Sequence, residues 1–109
     1  MKKIIMVSLL LLSSLFCVHA DTADVIIGGK NIGTIDYSYS IQTTSRGGCF
    51  ITVTLRNNTD EFLAGTVMPT GTESSCSTHF NLRPYGKQEL TIGCNEVPDG
   101  VKLMYIHRD

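Results

Sequence analysis

The sequence predicts an all-β domain, an antiparallel sandwich of about seven short strands. Three observations carry that expectation. Apolar residues recur at every second position in several runs, and Gly, Asn, Asp and Pro clusters separate those runs at short intervals. No window places apolar residues at helical spacing behind a capping signal.

The strands expected in order are 24–27, 33–42, 49–57, 62–68, 77–83, 88–94 and 101–107. The first, "DVII", has no alternation of its own and reads as cover for another strand. In "TIDYSYSIQ", Ile35, Tyr37, Tyr39 and Ile41 point one way while Asp36, Ser38, Ser40 and Gln42 point the other. In "CFITVTLRN", Cys49, Ile51, Val53 and Leu55 form the inner face. "HFNLR" and "ELTIGC" repeat the pattern. The last strand, "VKLMYIHRD", is apolar on both sides, with Val101, Leu103 and Tyr105 expected inward and Met104 and Ile106 outward. Met104 and Ile106 are therefore a candidate interaction surface. Turn residues fill the gaps: "GGKN", "SRGG", "NNTDE" and "EVPDG". The segment 69–78, rich in Ser, Thr and Gly, is the longest candidate binding loop.

Strands this short and numerous in a 109-residue chain favour a small immunoglobulin-like antiparallel β-sandwich, with a small closed β-barrel as the alternative. There is one domain, 21–109, behind a leader. Lys2 and Lys3 precede an apolar stretch, and Val18 and Ala20 fit the small-residue positions of a signal peptidase site, so residues 1–20 are expected to be removed after Ala20. The apolar stretch falls short of the ~20 residues that span a bilayer. Cys17 is read as part of the leader rather than as a lipid attachment site, because Phe16 stands where that processing needs a small residue. The expected location is the periplasm or the exterior of a bacterial cell, with no transmembrane anchor in the mature chain.

Taking Lys2 and Lys3 from the nine basic residues leaves seven against ten acidic ones, with no basic stripe, so nucleic acid is not the expected partner. A domain this small hides only ~60–65% of its unfolded surface, and a covalent staple would help it. Three of the four cysteines remain after the leader. Read as a hairpin about Pro84, Tyr85 and Gly86, strands 77–83 and 88–94 bring Cys76 opposite Cys94, and that disulfide is favoured. Cys49–Cys94 and Cys49–Cys76 stay open as alternatives. In the favoured pairing Cys49 is the unpaired thiol, expected to be buried.

Chemistry is sparse. His79 faces away from the cysteines, and no four ligands converge for zinc. Cys49 with His79 or His107 lacks any spacing that marks a nucleophile. Asp60 with Glu61 and Glu96 with Asp99 sit in turns, and "NNT" at Asn57 matches a glycosylation acceptor without implying one in a bacterial protein. Neither catalysis, a cofactor nor a metal is expected. The function expected is binding of another macromolecule, as an inhibitor, immunity or accessory protein. A self-assembling structural subunit of a surface or secretion machine is the alternative, with a secreted toxin or enzyme behind both.

Overall fold

Among the described residues seven strands form, β1 (Val18–Ile27), β2 (Lys30–Thr43), β3 (Cys49–Asn57), β4 (Leu63–Thr70), β5 (Thr78–Leu82), β6 (Lys87–Cys94) and β7 (Gly100–Arg108), with β1 and β2 longer than the expected 24–27 and 33–42. The structure, a computed structural model, describes residues 18–72 and 76–109. All pairings are antiparallel, in a four-stranded sheet ordered β1-β2-β3-β6 and a three-stranded sheet ordered β5-β4-β7. The two sheets pack face to face, and among the described residues no further element lies on either outer face.

The small antiparallel sandwich expected from the sequence is thus the observed fold. Its likeness to an immunoglobulin constant domain lies in size and layering. That domain orders its strands 1-2-5-4 and 3-6-7, whereas here the first three strands form a meander and β4 is the centre of the second sheet. Val25, Ile35, Ile51, Val53 and Leu55 from the larger sheet meet Leu63, Val67, Phe80 and Leu82 from the smaller one. Gly65 sits directly opposite Phe80, and a side chain at Gly65 would put its β-carbon 2.7 Å from the Phe80 ring. The ring fills the space the glycine leaves. β1 packs against β7 and closes one side of the sandwich, the covering role read for "DVII".

Residues 1–17, which hold most of the expected leader and Cys17, lie outside the described residues. β1 runs back to Val18, so residues 18–20 pair with 38–40, and the His19 ring stacks on Tyr39 at 5.0 Å. Removal after Ala20 would leave β1 starting at Asp21. Among the described residues no helix is long and apolar enough to cross a membrane.

One expectation is corrected. β5 and β6 do not form a hairpin: β5 pairs with β4 and β6 with β3, so the Pro84–Tyr85–Gly86 connection crosses between sheets. The reason is Asn57, whose side chain is fully buried at 0% exposure. Its Nδ2 donates to the carbonyls of Glu61 (2.7 Å) and Arg83 (3.0 Å). Its Oδ1 accepts from the Thr59 backbone N–H (2.9 Å) and the Thr59 hydroxyl (2.7 Å). On the main chain, Asn57 N–H donates to Gly86 O and Tyr85 N–H to Thr59 O. The β3–β4 turn therefore grips the β5–β6 connection at both ends and holds the departing strands in different layers. With both amide hydrogens engaged, Asn57 is no glycosylation acceptor in the folded chain.

Asn57→Ala would orphan partners on both segments, each costing about 1–3 kcal/mol when buried. We predict a loss of about 3 kcal/mol or more in urea unfolding; a loss below about 0.5 kcal/mol, the scale of an ordinary surface change, would remove Asn57 from this role.

Candidate functional site

Two regions gather the residues singled out by the sequence, one at the end where β3 begins and one on the outer face of the three-stranded sheet. At the first, Cys76 is bonded to Cys94, with their Cα atoms 5.7 Å apart. Since β5 and β6 lie in different sheets, the bond joins the β4–β5 loop to the opposite layer rather than bridging a hairpin. The favoured pair is the one present, through a geometry other than the one that suggested it. A bridge enclosing a separation of 18 residues stabilises by about 3 kcal/mol in the chain-entropy account. Segment 69–78 is strand up to Thr70 and again at Thr78, Cys76 anchors its far part, and residues 73–75 lie outside the described residues.

Among the described residues Cys49 is the free cysteine, 2% exposed, and it lies directly opposite Cys94 across β3 and β6. Its Sγ–H donates to the Glu96 carbonyl at 3.4 Å. Burial pushes the thiol above its ordinary value, against a smaller opposing effect from a hydrogen bond with the Cys94 backbone. The thiol is held neutral and away from solvent, the opposite of what a nucleophile or metal ligand needs. His79 and His107 lie on the other sheet's outer face, so no thiol–imidazole pair forms. Among the described residues, no three His, Cys, Asp or Glu side chains converge as metal ligands.

The second region is a groove over β4. Its floor is Ala64 and Thr66, small residues on the outward side of the central strand. β5 supplies one wall, with Asn81 opposite Ala64 and His79 opposite Thr66; β7 supplies the other, with His107 opposite Ala64 and Met104 opposite Thr66. The β4–β7 register shifts between Ala64 and Thr66, where β7 carries a bulge at Tyr105 and Ile106. The bulge reverses the expected facing. Tyr105 turns outward to 69% exposure at the groove, while Ile106 packs against the core. Of the candidate surface pair, then, Ile106 belongs to the interior side and Met104 is half-buried beside Thr66. The residue missed was Tyr105. "VKLMYIH" is apolar in either frame, and no glycine marks the bulge.

Tyr105 has φ of 56°, a left-handed conformation that glycine adopts freely and a side chain pays about 1–2 kcal/mol to hold. The groove's polar atoms are fixed by their partners. Thr66 Oγ1 and His79 Nδ1 lie 3.4 Å apart. His107 Nδ1 lies 2.8 Å from the Tyr105 carbonyl and must donate to it, so Nε2 is left for other contacts. With its amide nitrogen toward Asp109, Asn81 donates to Oδ2 at 3.1 Å and to the Phe80 carbonyl at 3.3 Å. Asn81 N–H donates to Gln88 Oε1 at 3.1 Å, which occupies a free donor on the β5 edge. Beyond Asp109 the groove runs on past Phe62 and Arg83.

The larger sheet's outer face differs. Thr22, Asp36, Arg56 and Lys87 form one cross-strand row, with Ser38 and Thr54 in the next. Hydrogen bonds from Asn58 and Thr22 hold the Asp36 carboxyl below its ordinary value. This face carries charged and hydroxyl side chains toward the end where β3 finishes and the exposed Phe50 ring toward the end where it begins. Comparison with protein families, curated proteins and solved structures finds no match to the chain.

Because burial raises the Cys49 pKa, its contribution to stability is fully present below the ordinary value of 9.0 and is lost as pH rises above it. Tyr37, raised by burial and by the charge of Asp21, adds a second loss beginning near 10.0. Unfolding midpoints of the wild type are predicted to fall above pH 9, and Cys49→Ala to delay that fall toward the tyrosine range. An unchanged alkaline profile in Cys49→Ala would contradict the assignment.

Proposed function

We propose that this chain is a small exported, disulfide-stabilised module that binds another macromolecule in the bacterial envelope or outside it, as an inhibitor, immunity or accessory protein. Tyr105 carries this reading. A bulky ring is held at a backbone conformation that costs stability, contributes little to the core, and faces a groove walled by polar side chains. The Cys76–Cys94 bond suits an oxidising compartment, in keeping with a leader removed after Ala20. The neutral, enclosed Cys49 thiol and the lack of converging acid–base groups among the described residues give catalysis no support.

A second reading is a subunit that assembles through β7, which among the described residues shares a ladder only with β4, although β1 packs beside its other edge. The bulge at Tyr105 weighs against it, since bulges interrupt the ladder that an added strand would extend.

The test has two parts. Exported protein is predicted to begin at Asp21, with Cys49 alone alkylated after unfolding without reductant. Used as saturating bait, it should retain one stoichiometric macromolecule from an envelope extract and lose it on Tyr105→Ala. A chain still carrying residues 1–20, or bait that retains nothing, would contradict the reading. Oligomers that grow with concentration and dissolve on Met104→Lys would favour assembly instead.

A further inference from the structure

The groove's chemistry points to a class of ligand, an inference that rests on the binding-module reading above. Its aromatic surface comes from two rings on the outward side of the three-stranded sheet, Tyr105 at 69% and Phe62 at 55% exposure. Phe62 lies three positions along the chain from Gly65, which faces the bulge, so the rings are spaced by about 10 Å of strand rise. Between them stand Asn81 and Asp109, shared by both halves of the groove.

The groove carries little net charge, since Arg83 stands at the same end as Asp109. An anionic ligand would meet the carboxylate of Asp109, and a cationic one would find no second carboxylate in the lining. The floor of Ala64 and Thr66 offers no deep pocket for an apolar side chain of the kind that anchors peptides. Strand addition, the other route to peptide binding, is hindered at β7 by the bulge and at β5 by Gln88. What remains is a neutral, extended molecule with apolar faces to lay on rings and hydroxyls along its edges.

We infer that this groove binds a neutral oligosaccharide, with Tyr105 and Phe62 stacking on sugar faces and Asn81, Asp109 and His107 Nε2 hydrogen-bonding to the hydroxyls. Tyr and Phe supply flat contact area, while planar amide, carboxylate and imidazole groups give direction to the polar contacts.

The experiment is a titration of the folded domain, followed by backbone amide NMR, with short oligomers of N-acetylglucosamine and of glucose. Tyr105→Gly, Asn81→Ala and the wild type are compared, and each variant's melting midpoint is recorded. Shifts confined to β4, β5 and β7 are expected in the wild type, with about tenfold weaker binding in Tyr105→Gly. The same variant should melt at or above the wild-type temperature, because glycine relieves the left-handed residue. Binding lost without stability lost separates a ligand contact from a structural role. No shift at millimolar oligosaccharide, or shifts that persist unchanged in Tyr105→Gly, would overturn the inference. If the same bait still retains a protein through Tyr105, the sugar assignment falls and the binding module stands; if it retains nothing, both fall.

Discussion

The buried side chain of Asn57 is the constraint on which the arrangement of the strands depends. A primary amide has two donors and one acceptor oxygen able to take two bonds, and here every one is used within the protein. Its partners come from both the turn after β3 and the connection after β5. A two-stranded hairpin at Pro84–Gly86 would pull Arg83 and Gly86 away from these partners and leave a buried amide unsatisfied. Crossing between layers keeps it satisfied. Once β5 leaves β6, it can pair with β4, and β4 then becomes the middle of a second sheet with Ala64 and Thr66 on its outward side.

The opposite end is held by covalent means. The Cys76–Cys94 bond fixes the β4–β5 loop to the last residue of β6. Cys49 fills the adjoining position on β3 as a small apolar side chain whose hydrogen bond goes to Glu96 O. The spare cysteine thus has a packing role. A polar clasp at one end and a disulfide at the other tie the two sheets together, which would suit the proposed role of the groove in binding.

Much of the fold was legible in the sequence because period-two burial is a local signal. Ile35 and Tyr37, or Ile51, Val53 and Leu55, declare their face without reference to anything distant. Sheet membership was not legible, because it turns on which strand meets which. "RPYGK" is compatible with a tight hairpin, and the amide that overrides it lies 26 residues from Arg83 and reads as an ordinary turn asparagine. The right cysteine pair emerged from the wrong partner strand, since strands in facing sheets can also bring two cysteines into reach. The groove was hidden for a related reason. A bulge at a tyrosine leaves no mark in a run that is apolar on both faces, and one inserted residue exchanges the sides taken by Tyr105 and Ile106.

Strand connectivity is the claim from which the groove, the clasp and the cross-sheet disulfide all follow. Nuclear Overhauser contacts across β5 in the folded domain test it most directly. Contacts are expected between Phe80 and Gly65 and between Asn81 and Ala64, as partners in the β4–β5 ladder. Backbone contacts between Phe80 and Leu90, as a β5–β6 hairpin requires, would contradict it and dissolve the groove as described.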